Sequence, residues 1–173
     1  DIRADATGGL WGEAPRAVMA IAADSGKTLW KKPTSMMPMT LTADGRSIYF
    51  HDGANVVCLN RENGESLWAS ETPNQRTLKS SSAPTLVACG DVVLFSGYSG
   101  DAKAREVGST TMYALSARDG KRLWDADHPA AGHAGRSQDI LVINGVVWCG
   151  ATASGSDSGI ARGRDLQNGQ VLK

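Results

Sequence analysis

Three times this chain writes nearly the same six residues: Ser25-Gly-Lys-Thr-Leu-Trp30, Asn63-Gly-Glu-Ser-Leu-Trp68 and Asp119-Gly-Lys-Arg-Leu-Trp124. Extended backward, the copies run from Ala20, Cys58 and Ala114. A fourth, Gly163 to Lys173, keeps the Asn-Gly turn and the leucine but ends on Lys instead of Trp. A repeated phrase constrains a fold more than composition does, because each repeat is one supersecondary unit that buries its apolar face only against its neighbours.

Each phrase reads as a β-hairpin. Ser-Gly, Asn-Gly, Asp-Gly and Asn-Gly supply residues that tolerate positive φ, and β-rich runs such as Val56–Leu59 and Thr111–Leu115 lead into the turns. Leu and Trp are adjacent after the turn, so they face opposite sides of a sheet. The first phrase position is always small (Ala20, Cys58, Ala114, Gly163), which leaves room for a large neighbour, with the Trp as the obvious candidate.

A second strand pair precedes most copies: Met39–Thr42 and Ser47–Phe50 about Asp44-Gly45, Pro84–Ala88 and Val92–Phe95 about Gly90-Asp91, Ile140–Ile143 and Val146–Trp148 about Asn144-Gly145. The unit is therefore four short antiparallel strands, with no convincing helix. Trp30, Trp68, Trp124 and Lys173 lie 38, 56 and 49 residues apart. Four-stranded units of this length are blades of a β-propeller. The expectation is an all-β chain forming one partial propeller domain over 1–173. Its blades fall at 1–34 (partial), 35–72, 77–127 and 138–173 (incomplete), about three and a half in all. A large aromatic at a fixed place fills the gap between blades, so the phrase repeats because the interface repeats.

The phrase, read as Ala-x-Asp-x-x-(Ser/Thr)-Gly-x-x-x-Trp, resembles the tryptophan-docking motif of the pyrroloquinoline quinone (PQQ)-like β-propeller repeat family, over nearly the whole chain. The resemblance implies a structural docking role for Trp30, Trp68 and Trp124 with Gly26, Gly64 and Gly120. It also implies a ring of six to eight blades, and so partners in the remaining blades of the same propeller or in a second copy. Flanking sequence is the expected source, because both cut points fall inside units. The family includes quinoprotein dehydrogenases, the propeller lipoprotein of outer-membrane barrel assembly and exported bacterial proteins of unassigned role. The last kind is resembled also by Gly9–Gly12, Ser81–Thr85 and Gly150–Gly155. A periplasmic or otherwise extracytoplasmic location is implied.

A quinoprotein site needs an Asp base, hard oxygen ligands for calcium, a stacking Trp and, in many members, a vicinal Cys pair. The three cysteines, Cys58, Cys89 and Cys149, are far apart and form no such pair, so buried structural thiols are expected. Asp101, Glu106, Asp157 and Asp165 fall in loops or turns as solvated charges. No cofactor is expected within this chain, with PQQ and calcium as the alternative. His128 and His133 beside Asp127 are weak metal candidates; an ordinary polar loop is the favoured reading. His51, at a strand end, reads as structural. Neither Ser80–Ser82 nor Ser154–Gly159 makes a nucleophile elbow, and the glycines form no dinucleotide fingerprint.

Charge balances at 18 basic and 18 acidic residues, which argues against nucleic acid as partner. No apolar run is long enough for a membrane helix. The expected function is a non-catalytic binding or scaffold propeller fragment of a larger extracytoplasmic bacterial protein. It would recognise a protein or carbohydrate through loops, of which 97–109 is the most distinctive. The alternative is part of a PQQ-dependent oxidoreductase whose cofactor residues lie mostly outside this chain.

Overall fold

The structure is a computed structural model that describes residues 15–37, 40–72, 85–97, 110–128, 140–150 and 161–172. They form thirteen strands and no helix. Strands β1 (Ala17–Ile21) and β2 (Thr28–Pro33) make a two-stranded sheet. Strands β3 (Thr42–Ala43), β4 (Ser47–His51), β5 (Asn55–Asn60) and β6 (Ser66–Glu71) make a four-stranded one. The third sheet holds β7 (Thr85–Cys89), β8 (Val92–Gly97), β9 (Thr110–Ser116) and β10 (Arg122–His128). The fourth holds β11 (Leu141–Ile143), β12 (Val146–Gly150) and β13 (Ala161–Asp165). Every pairing is antiparallel between consecutive strands, the meander of a propeller blade.

The core lies between sheets. Val18 of the first sheet meets Ile48, Phe50 and Leu59 of the second. Tyr49, Val56 and Cys58 of the second meet Leu86, Val93, Phe95 and Leu115 of the third. Val92, Leu94, Met112, Ala114 and Trp124 of the third meet Ile140, Val147 and Cys149 of the fourth. Alternation along each strand sends successive residues to opposite faces, so Val93 looks back and Val92 and Leu94 look forward. Three equivalent cores between four stacked sheets make this an arc of β-propeller.

One local expectation is corrected. The first strand of the second sheet is the two residues Thr42–Ala43, not Met39–Thr42; Met39 lies outside the described residues. The phrase hairpins turn through loops longer than two residues. Only their glycines have positive φ (68° to 74° at Gly26, Gly64, Gly120 and Gly169), and Gly26, Gly64 and Gly120 each donate to the carbonyl four residues back. The register shifts beside them, as between Cys58 and Leu59, mark a glycine bulge after a longer loop. The two-residue turn with positive φ at both positions occurs at Asn144-Gly145, between the paired Ile143 and Val146.

Candidate functional site

The bulge aims Gly64, Gly120 and Gly169 at the preceding sheet, and the phrase tryptophan of that sheet meets each of them, whereas among the described residues nothing lies within 4 Å of the Cβ position of Gly26. A Cβ on Gly64 would lie 2.7 Å from Cε3 of Trp30, one on Gly120 2.6 Å from Cε3 of Trp68, and one on Gly169 2.7 Å from Cδ2 of Trp124. Only glycine lets an indole lie this close to backbone, and only glycine adopts the φ without strain. Each indole N–H then donates to the carbonyl three residues before that glycine. Trp30 Nε1 reaches Arg61 O at 2.9 Å, Trp68 Nε1 reaches Ala117 O at 3.0 Å, and Trp124 Nε1 reaches Leu166 O at 2.9 Å. Within its own sheet each Trp stands opposite the small residue of its phrase, Ala20, Cys58 or Ala114. At the first contact Lys32 Nζ also donates to Gly64 O at 3.2 Å and Ser66 Oγ at 2.7 Å. The carbonyl acceptors were not legible in the sequence, since backbone carries no residue signature.

A backbone hydrogen bond ties the two turns at the same end of the second, third and fourth sheets: Arg61 N to Arg46 O, Ala117 N to Asp91 O, and Leu166 N to Gly145 O, at 2.9–3.0 Å. Asp44 reinforces that end in the second sheet. It accepts from the amides of Arg46 and Ser47 and from the Tyr49 hydroxyl at 2.7–2.8 Å. Burial pushes its carboxyl up, but these donors outweigh it and hold it below the ordinary carboxylate value. Burial, with the Asp44 charge, raises the Tyr49 hydroxyl, so Tyr49 remains a neutral donor.

At the opposite end His51 is fully buried. Its Nε2 lies 2.8 Å from Thr72 O and its Nδ1 accepts from Gly53 N at 2.9 Å, so Nε2 carries the proton. The ring stacks on Phe95 of the next sheet, with centroids 4.3 Å apart. Asp52 beside it accepts from Ala54 and Asn55. Those bonds overcome the upward push of burial and keep the carboxyl low. His51 thus couples the second sheet to the third, which its position at a strand end did not disclose.

Of the metal candidates, His128 is the last residue of β10 and His133 lies outside the described residues. Asp101, Glu106, Asp157, Ser80–Ser82 and residues 98–109 also lie outside them. Asp165 is a turn former, accepting from Gln167 and Asn168. Cys58 and Cys149 are buried and Cys89 partly so, on three different strands. Burial pushes the Cys58 thiol up to about 11, far from a reactive thiolate. Among the described residues no three His, Cys, Asp or Glu side chains cluster as metal donors would.

Stacked antiparallel meanders of up to four strands, joined by indoles, define a β-propeller of the PQQ-like kind. Residues 16–173 match the family model described as outer membrane protein assembly factor BamB, and the chain belongs to that family. No curated protein matched it. Among solved structures it is similar to BamB from Moraxella catarrhalis, with TM-score 0.63 and 17% identity, covering 91% of this chain and 46% of that one. It is also similar to the quinohemoprotein alcohol dehydrogenase of Comamonas testosteroni, with TM-score 0.63 and 13% identity, covering 91% of this chain and 31% of that one. Quinohemoprotein alcohol dehydrogenase ADHIIG from Pseudomonas putida HK5 gives TM-score 0.60 at 13% identity, covering 92% and 31%. The chain therefore spans about half of one relative and a third of the others. At these identities the likeness is one of fold.

Proposed function

We propose that this chain is a non-catalytic binding or scaffold arc of a propeller, working within a larger extracytoplasmic bacterial protein. The observation that carries this is the use of its indoles. Trp30, Trp68 and Trp124 each have a ring face on a glycine and an N–H on a carbonyl of the next sheet, so all three are engaged in joining sheets. They act as docking joints, with Gly64, Gly120 and Gly169 as seats. Recognition falls to the stretches of sequence that link β4 to β5, β8 to β9 and β12 to β13, residues 52–54, 98–109 and 151–160. The ligand class is a protein or carbohydrate surface. The name of the BamB family, an assembly factor, supports a protein partner and an extracytoplasmic setting. No helix among the described residues is long and apolar enough to cross a membrane.

The competing reading is a share of a quinoprotein oxidoreductase. Titrating the purified chain with PQQ and calcium, followed by quinone absorbance, separates the two. The expected result is no saturable spectral change. Saturable binding would overturn the non-catalytic reading.

A further inference from the structure

The dipeptide Asn-Gly occurs three times, at Asn63, Asn144 and Asn168. It is the pair most prone to deamidation, because a glycine amide nitrogen, with no side chain beside it, reaches the asparagine carboxamide most easily. Two of the three pairs are clamped. Gly64 N donates to Asn60 O and Gly169 N to Asp165 O, both at 2.9 Å, so neither nitrogen is free to attack. Asn63 Oδ1 accepts from Glu65 N and its Nδ2 donates to Glu65 Oε2, each at 3.0 Å. Asn168 Oδ1 accepts from Gln170 N at 2.9 Å. An indole closes over each glycine, Trp30 on Gly64 and Trp124 on Gly169.

Asn144-Gly145 is the reverse. It is the two-residue turn between β11 and β12, and both residues are exposed. Among the described residues the Gly145 amide donates to no acceptor, and the Asn144 carboxamide makes no hydrogen bond. Nothing among them lies within 4 Å of the Gly145 Cβ position. This openness belongs to the place in the unit and not to the fourth sheet. The equivalent turns of the second and third sheets, which have a neighbouring sheet on both sides, expose Gly45, Arg46, Gly90 and Asp91. Yet the turn is wired to a joint. Gly145 O accepts from Leu166 N at 3.0 Å, and Leu166 O accepts from the Trp124 indole at 2.9 Å.

We propose that Asn144 is a deamidation site that acts on the joint between the third and fourth sheets. The Gly145 nitrogen bonds to Asn144 Cγ and the Cγ–Nδ2 bond breaks. Ammonia leaves, carrying the proton from the Gly145 nitrogen, and a cyclic succinimide remains. Water then opens the ring at either carbonyl. One product is aspartate. The other is isoaspartate, in which the main chain runs through Cβ and Cγ and is one carbon longer. Both products add a negative charge to a chain whose charges balance. Isoaspartate also lengthens a turn whose two-residue geometry sets the pairing of Ile143 with Val146, and it displaces the Gly145 carbonyl from Leu166. Because Leu166 O anchors Trp124, chemical ageing at an exposed turn loosens a buried joint.

The test is incubation of the purified 173-residue chain in mildly alkaline buffer, with and without urea, followed by peptide mapping in the mass spectrometer and enzymatic methylation of isoaspartate. In the folded chain Asn144 is expected to convert roughly tenfold or more ahead of Asn63 and Asn168, since each hydrogen bond that has to break first slows the step by about fivefold. Urea should remove the difference. The aged chain is expected to unfold at a lower urea midpoint than the fresh one, read by tryptophan fluorescence. Aged Asn144→Gly has no carboxamide and a turn of two glycines, so it should keep its midpoint. A folded chain in which Asn63 or Asn168 converts as fast as Asn144, or in which Asn144 stays intact, overturns the site. Conversion at Asn144 that leaves the midpoint unmoved overturns the link to the joint. Fresh Asn144→Asp carries the charge without the longer main chain; if it unfolds as early as the aged wild type, the isoaspartate account fails.

Discussion

The indole–glycine joint can be tested by adding a single carbon. In Gly120→Ala the new Cβ falls 2.6 Å from Cε3 and 2.9 Å from Cδ2 of Trp68, where ordinary contact begins near 3.4 Å. The indole has to retreat by most of an ångström. Doing so breaks its 3.0 Å hydrogen bond to Ala117 O, worth about 1 kcal/mol. It also forces a packed interface apart, at about 1–3 kcal/mol. An alanine at φ 71° adds about 1 kcal/mol of backbone strain. The expected loss is about 3–5 kcal/mol. Gly90→Ala is the control: its φ is also positive at 56°, but nothing stands within 4 Å of its Cβ position, so only the strain of about 1 kcal/mol applies. Urea unfolding followed by circular dichroism and tryptophan fluorescence gives both values. If the two losses agree within about 1 kcal/mol, the contact contributes nothing beyond backbone geometry and the joint argument fails.

Two further outcomes follow from the buried polar groups. Asp44 and Asp52 have carboxyls held below their unfolded value of 3.8, so the folded state binds fewer protons than the unfolded one near that pH. Their stabilisation is complete at neutral pH and is lost as pH falls through the depressed folded values; Asp44→Asn and Asp52→Asn should flatten this acid limb in a pH series of urea midpoints. Cys58 and Cys149, buried and raised by that burial, should resist iodoacetamide at pH 8 until the chain unfolds, while partly exposed Cys89 reacts first; mass spectrometry of the labelled chain would contradict this by finding Cys58 modified under native conditions.

The fold was largely legible because the repeat states it. Glycine, leucine and tryptophan recur at fixed offsets, and strand alternation then determines which face each side chain takes. The turns were less legible. Asn-Gly serves both a two-residue turn at Asn144 and a bulged loop at Asn63, and the choice depends on the strand pairing around it rather than on the dipeptide. The joint was half legible: the size of Trp and the need to bury blade faces pointed to an inter-unit contact. That Trp68 lies on Gly120, a residue of the next phrase, and is anchored on Ala117 O appears only in three dimensions. His51 read as structural from its place at a strand end, but its partners, the Thr72 carbonyl and the Gly53 amide among them, carry no residue signature.

The tie between the two turns of a unit and the seat for the preceding indole share one end of the sheet, so the other end is free to change length. Residues 52–54 suffice there in the second sheet, while twelve and ten residues of sequence separate β8 from β9 and β12 from β13. The rungs below them, His51 with Val56, Gly97 with Thr111 and Gly150 with Ala161, are paired in all three. Evolution, or a protein engineer, can therefore write new sequence at one rim without revising a single joint at the other. A loop graft between Gly97 and Thr110 is the natural place to give this arc a specificity of choice.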